Sequence, residues 1–395
     1  MGALVAWPIG PAAVTRVLWL EALSDWGGEI TAFFLAEVKE PTLDFRRRRR
    51  QKGKPMEALP RPPARIADVA ARAGVGIATV SRVVNNRGNV AAPTRERVLE
   101  AIRALEYRPS SVAQNLSLKR TLVIGVVLPF LTEASPIERV RGIVTALASS
   151  PYDLALYDVE SADRQQRAFR LLADAHRTDG LLVVSLIPPD EEVRRLRAEA
   201  IPCVLIDARH EGLLSVVIDD VAGGELATKY LLELGHRRIA FIGDKPVDPF
   251  RFQSSRDRTT GYERALASAG VPIRPEYVRE GTQSRHVARS IADELLQLPE
   301  PPTAVFAASD VQALGVLEAA RALGVDVPDQ LSVIGFDDIE IASYVGLTTV
   351  RQRLFDSGRR GAELLLQALA GEPAPVRVET LPLDLVARGT TRSPR

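Results

Sequence analysis

The chain has 395 residues, 46% hydrophobic and 26% charged, the balance of a soluble globular protein with two or three domains. A single cysteine, Cys203, excludes a disulfide framework within the chain and suits a cytoplasmic setting, and no window reaches the roughly 18 uncharged apolar residues of a membrane span. The net charge of +1 is unevenly spread: +2 over residues 1–60, +7 over 61–120 and −8 over the remainder. A basic module on an acidic body is the footprint expected where only the module meets phosphates, the alternative being a solvated basic face.

Residues 1–38 are rich in Ala, Val, Leu and Trp, yet no basic segment precedes the apolar part, and Glu21, Asp25 and Glu29 interrupt it, unlike a signal peptide. The arginine run Arg46–Arg50, with Lys52 and Lys54, either adds non-specific DNA affinity or is a solvated tail. Pro60, Pro62 and Pro63 read as a linker. Residues 1–63 are therefore expected to be a disordered extension, or one that a natural start at Met56 would largely remove.

The first coherent module follows at IADVAARAGVGIATVSRVVN, residues 66–85. Ile66, Val69, Ala70 and Ala73 recur at spacings of three and four, so they share one helix face. Gly74 can take the positive φ that ends that helix. A second helix runs from about Ile77 to Asn85, with Val80, Val83 and Val84 on its apolar side. Ile77, Ala78, Ser81, Arg82 and Asn85 are left on the outer face, where a second helix of this kind meets the major groove. The planar fork of Arg82 matches the O6 and N7 acceptors of guanine. Asn86–Asn89 is a turn cluster, and a third helix over about 92–106 places Val98, Ile102 and Leu105 inward. Three such helices enclose a core too small for much independent stability. Residues 107–120, YRPSSVAQNLSLKR, hold a short helix capped by Ser110, with Val112, Ala113 and Leu116 on one face. Alone it is too short to persist in water; it is either a plain linker or a hinge that folds when paired with its twin on DNA, with Leu116 wedged into a minor-groove base step.

These strings resemble the headpiece and hinge of the lactose/galactose repressor (LacI/GalR) family. The matches are D-V-A-x-x-A-G-V at Asp68–Val75, A-T-V-S-R-V-V-N at Ala78–Asn85, Y-R-P at Tyr107–Pro109 and V-A-x-x-L at Val112–Leu116. The resemblance implies DNA contacts from Ile77, Ala78, Thr79, Ser81, Arg82, Asn85 and Thr94, operator preference set by Ile77 and Ala78, and intercalation by Leu116. Two positions depart from the pattern. Arg65 stands where a Ser or Thr usually opens the first helix, and Gly76 where a Ser usually precedes the second; Gly for Ser at an N-cap costs a few tenths of a kcal/mol.

From residue 121, apolar runs alternate with amphipathic stretches. Buried parallel strands are expected at 121–128, 180–186, 201–207, 238–244, 303–309 and 331–337. Helices are expected at about 137–149, 162–175, 190–199, 221–234, 256–269, 284–297, 310–323 and 354–370. This alternation implies two doubly wound parallel-sheet α/β lobes. The family resemblance continues to about residue 390 and implies a periplasmic-binding-protein-like pair of lobes, preceded by the helix-turn-helix headpiece (64–109) and hinge helix (110–119). The first lobe is expected at about 120–219 and 350–375, the second at about 220–349 and 376–390, with crossings near Asp219, Thr349 and Val376.

Ligands of open α/β sheets bind beyond the carboxyl ends of the strands. Phe130, Asp207, Asp310 and Asp337 occupy such ends, Asp310 having a helix N-cap as its alternative role. Arg258, in R-D-R-T-T-G-Y, opens a helix. The resemblance assigns effector contact to the arginine of R-x-x-G-[FY] and the aspartate of G-[FY]-D, which are Arg258 and Asp337. Ala134-Ser135-Pro136-Ile137 replaces the usual Asn-Pro-Phe-Phe, so Phe130 is the remaining candidate for a stacking platform. Gln283 stands where some members place an aromatic residue. A small polar effector, a sugar or related metabolite, is expected, with no cofactor, no metal and no membrane partner. The expected partners are pseudo-palindromic double-stranded operator DNA and a second copy in a homodimer. A solute-binding receptor would explain the lobes but not the headpiece. An α/β enzyme lacks its motifs here: there is no G-x-G-x-x-G after a strand, no P-loop and no metal-ligand spacing among His176, His210, His236 and His286. The favoured reading is an effector-controlled, sequence-specific transcriptional regulator, a repressor in most of the family.

Overall fold

The computed structural model describes residues 64–85, 88–107, 120–172, 177–245, 250, 252–372 and 377–394. The extension 1–63 and the predicted hinge, with Ser110 and Leu116, lie outside the described residues.

Three helices open the described chain: α1 (Ile66–Ala73), α2 (Ile77–Val84) and α3 (Ala92–Ala104). Val69, Ala70, Ala73, Val80, Val83, Val98 and Ala101 form their buried core, as the spacing predicts, with Val75 and Leu105 packed on its edge. Gly74 ends α1 in the left-handed region at φ 64°, and its N–H and that of Val75 both reach back to the Ala70 carbonyl. At the other end of α1 the Asp68 carboxylate accepts the N–H of Arg65 at 2.7 Å. An acid in the first turn thus performs half of a capping box where Arg65 offers no acceptor.

Two six-stranded sheets follow. The first has the order β11-β5-β4-β3-β1-β2, built from β1 (Val123–Leu128), β2 (Asp153–Asp158), β3 (Gly180–Val184), β4 (Cys203–Ile206), β5 (Leu214–Val217) and β11 (Val378–Thr380). The second has the order β12-β10-β9-β8-β6-β7, from β6 (Ile239–Asp244), β7 (Val278–Gly281), β8 (Ala304–Ala307), β9 (Ser332–Asp337), β10 (Thr348–Gln352) and β12 (Leu383–Val386). Every pairing is parallel except that of β10 with β12. Alternate residues of one strand feed opposite cores: Ile124, Val126 and Leu128 face α4 (Ala134–Leu147) and α12 (Leu354–Leu369), while Val127 faces α5 (Ala162–Leu172) and α6 (Asp190–Ala198). Covering both faces makes the strand sequence continuously apolar. The second sheet repeats this between α7 (Asp220–Glu233) with α8 (Ser254–Ser268) and α9 (Arg285–Leu296) with α10 (Asp310–Leu323). A short α11 (Glu340–Tyr344) follows β9.

The two doubly wound lobes are those expected, but the crossings differ. The chain leaves the first sheet at Ile218–Asp219, between β5 and α7. It returns at Arg353, not near Thr349, because Thr349 is hydrogen-bonded inside β10 of the second lobe. It crosses last at Leu381–Pro382, not near Val376, because Val378–Thr380 still pairs with β5 in the first sheet. Six strands were not expected from the sequence. β2 is an edge strand without an unbroken apolar run, half-exposed along its length, and β10 carries polar side chains in four of its five positions (TTVRQ).

Candidate functional site

On the headpiece, α2 presents a short outward face. Ile77 is 52% exposed, Ala78 and Arg82 are exposed, and Thr79, Ser81, Asn85 and Thr94 are half-buried. The Asn85 amide donates to the Ser81 hydroxyl at 3.3 Å, so one turn of this face is pre-ordered. Arg82 makes no hydrogen bond or ion pair among the described residues; its stem lies beside Gly88. The helix, seated by Val80 and Val83, thus exposes a large apolar side chain and a guanidinium, groups of the kinds that read base edges.

The second site lies between the lobes. Strand ends from both sheets enclose a free space of about 80 Å³, lined on one side by Phe130, Ser185 and Asp207 and on the other by Asp244, Arg258, Asp337 and Gln352. Phe130, Ser185, Asp207 and Asp337 all hold positive φ, at 50°, 54°, 62° and 120°. Non-glycine residues held there carry strain of roughly 1–3 kcal/mol each and cluster where chain geometry serves a site.

One polar network runs through this space from lobe to lobe. The Ser185 hydroxyl donates to Asp207 at 2.7 Å, and Asp207 pairs with Arg139 at 3.1 Å. Arg139 donates to the Gln352 carbonyl oxygen at 3.0 Å, and the Gln352 amide nitrogen donates to Asp337. Asp337 lies 3.9 Å from Arg258, whose Nε donates to Asp220 at 2.8 Å and whose Nη1 donates to the Ala308 carbonyl at 2.6 Å. The Arg258 guanidinium also lies 3.6 Å over the Phe336 ring. Burial would discharge Arg258, but Asp220, Asp337 and Asp207 together hold its pKa above the usual value. Asp220 and Asp337 share that cation. Burial therefore pushes Asp220 up to about 7 and Asp337 upward as well. Asp244, behind which Gln312 donates at 2.9 Å, is pushed up to about 6, again mainly by burial.

The two arginines arrive by the same device. In the first lobe, Arg139-x-x-Gly142 of α4 crosses Phe355-x-x-Gly358 of α12. A Cβ on Gly358 would fall on the Arg139 carbonyl, and one on Gly142 on that of Phe355. In the second lobe, Arg258-x-x-Gly261 of α8 crosses Val221-x-x-Gly224 of α7; a Cβ on Gly224 would fall on the Arg258 carbonyl. Only glycine permits backbones this close.

Of the predicted effector residues, Phe130, Asp207, Arg258, Gln283 and Asp337 line the cleft. Asp310 does not. It is fully buried, takes the Ile339 N–H at 2.9 Å and the Thr349 hydroxyl at 2.6 Å, and braces the ends of β9 and β10. Its N-cap alternative fails too, because Ser309 fills that position. Sequence reasoning missed Arg139, Asp220, Asp244, Phe252 and Gln352. Two signals were present: R-x-x-G occurs in both lobes, and Asp244 ends a predicted strand as Asp207 and Asp337 do. Phe252, which meets Phe130 at a centroid distance of 6.5 Å, supplies from the other lobe the second aromatic ring that the sequence appeared to lack. Cys203 is buried with its thiol pushed up to about 12, and the ring nitrogens of His236 are engaged by Thr303, Ser332 and the Arg392 carbonyl, so both serve structure.

Residues 65–110 match the family model described as bacterial regulatory proteins, lacI family, and residues 228–391 match a periplasmic binding protein-like domain. The catabolite control protein A of Priestia megaterium is 34% identical over 334 residues, covering 83% of this chain and 99% of that protein. This chain belongs to the lacI family. The HTH-type transcriptional repressor CytR of Escherichia coli strain K12 is 33% identical, over 84% of this chain and 97% of its own length. A solved Lac repressor dimer bound to operator and the anti-inducer ONPF superposes with a TM-score of 0.73 at 30% identity, covering 84% of this chain and all of that one. A regulator solved as a CelR–cellobiose complex superposes with a TM-score of 0.61 at 32% identity, covering 83% of this chain and 99% of that one. The lacI-family member described here is accordingly a DNA-binding transcriptional regulator with an effector-binding body of two α/β lobes.

Proposed function

We propose that this regulator is a repressor acting as a homodimer on a pseudo-palindromic operator. Each headpiece reads a half-site through Ile77, Ala78, Thr79, Ser81, Arg82 and Asn85, with Thr94 at the backbone and Leu116 of the hinge wedged at the centre. Arg82 reads a guanine edge, because its guanidinium is uncommitted and its helix is rigidly seated. A small effector enters between the lobes and engages Phe130, Asp207, Arg258, Gln283 and Asp337. The observation that carries this reading is Gln352, whose amide links Arg139 of one lobe to Asp337 of the other at the cleft itself. A ligand competing for Asp207 or Asp337 alters that link. The lobe angle changes with it, and the spacing of the paired hinges follows.

Selection of bound sequences from a random double-stranded DNA pool tests the DNA arm. The expected product is a palindrome, and Arg82→Ala is expected to lose about 1–3 kcal/mol of discrimination at one position per half-site. A uniform loss of affinity with specificity unchanged would reassign Arg82 to a phosphate. A pool in which nothing enriches would remove the operator reading altogether.

A further inference from the structure

The charges lining the cleft do not balance. Among the described residues, Glu133, Asp207, Asp244 and Asp337 face the space against a single lining guanidinium, that of Arg258. From behind the wall Arg139 neutralises Asp207, which leaves Glu133, Asp244 and Asp337 against Arg258, itself shared with Asp220. Asp244 is the carboxylate left over. One of its oxygens accepts the Gln312 amide at 2.9 Å, and it has no ion pair among the described residues. Phe130 and Phe252 line the same space, and aromatic rings attract cations through their faces.

We propose that the effector is a small hydroxylated molecule carrying a protonated amine, held by Asp244 beside Phe130 and Phe252, and that anionic molecules are excluded. This rests on the effector-controlled reading above and names its ligand class. A neutral sugar hydroxyl donates a hydrogen bond to a carboxylate but leaves its charge desolvated, which is costly in a closed cleft. An ammonium supplies the same hydrogen bond and cancels the charge. The groups bearing on Asp244 are Arg258, which favours its ionised form, and Asp337 and Glu280, which oppose it; the net direction is upward, to about 6. An amine therefore binds more weakly as acid protonates Asp244.

The full-length protein is tested by thermal shift and titration calorimetry against D-glucosamine, D-galactosamine, D-mannosamine, ethanolamine and putrescine. Controls are the parent neutral sugars and their 6-phosphates. At least one amine is expected to raise the melting temperature, at an affinity at least tenfold above its neutral parent, with no response to the phosphates. Between pH 6 and pH 5 that affinity is expected to fall up to tenfold, the limit for one required ionised carboxylate. Asp244→Asn is expected to lower it at least tenfold; the pH profile of the unaltered protein provides the same test if the variant folds poorly. A neutral or phosphorylated sugar bound as tightly as its amine, a pH-independent affinity, or no response to any amine overturns the proposal. Operator selection on the same preparation separates this failure from that of the regulator reading: enriched operator with no amine response sinks only the ligand class.

Discussion

In the first lobe Arg139 rides on α4 with its carbonyl against Gly358; in the second Arg258 rides on α8 with its carbonyl against Gly224. The two helix crossings are near copies, yet the side chains they deliver differ in use. Arg139 reaches across to Gln352 and stands behind Asp207, so it positions other groups and ties the lobes together. Arg258 lines the cleft, stays within its own lobe, and lies between Asp220 and Asp337, with Asp207 at longer range. Glycine crossings decide where an arginine arrives. The acids at the ends of neighbouring strands decide what it does there.

The sharpest way to break this comparison is to remove each cation in turn. Arg258→Met leaves Asp220 and Asp337 buried without their arginine and is expected to cost about 3–5 kcal/mol at pH 8, less at pH 5, below the value of about 7 to which burial raises Asp220. Arg139→Met is expected to cost clearly less, because Asp207 keeps the Ser185 hydroxyl and is partly solvated. Equal losses in urea unfolding would show that the two arginines do the same work.

Next in size are the crossings. Gly358→Ala and Gly224→Ala each push a Cβ onto a backbone carbonyl and are expected to cost about 2–3 kcal/mol by the same measurement. If only one of them destabilises, the devices are not equivalent.

The smallest effect sharpens the contrast through pH. Asp244 has a folded pKa of about 6, above its ordinary value of 3.8. Between these values the folded state holds a proton that the unfolded state releases, so this group adds stability as pH falls through 6 and withdraws it as pH rises. Without effector, Asp244→Asn is expected to flatten the stability difference between pH 8 and pH 5 by on the order of 1 kcal/mol. Parallel profiles for the variant and the parent would show that Asp244 does not titrate in this range.

What the sequence disclosed follows from the physics of each element. Strands covered on both faces, such as β1 and β9, announce themselves as unbroken apolar runs. The edge strands β2 and β7 do not, since exposed faces admit polar residues and the pairing comes from a distant neighbour. The cleft was legible where a polar residue ends a buried run, as at Asp207 and Asp337. The same rule misled at Asp310, whose side chain is captured by Ile339 and Thr349. It also went unapplied at Asp244. Arg139 lies mid-helix and gains its role only when α12 and β10 return from the far end of the chain. Gln352 and Phe252 depend in the same way on where another lobe places them.

That return has a consequence for how the molecule is made. The first sheet is complete in its central strands by Val217, yet Ile124, Val126, Leu182 and Ile206 are covered by Ala362, Leu364 and Leu365 of α12. Between them on the ribosome lies all of the second lobe except its antiparallel strand β12. The nascent first lobe therefore waits with one apolar face open while more than a hundred residues emerge. The lobe begun first is closed only after most of the second has been made, and a chain that stops before α12 exposes that face to whatever is nearby.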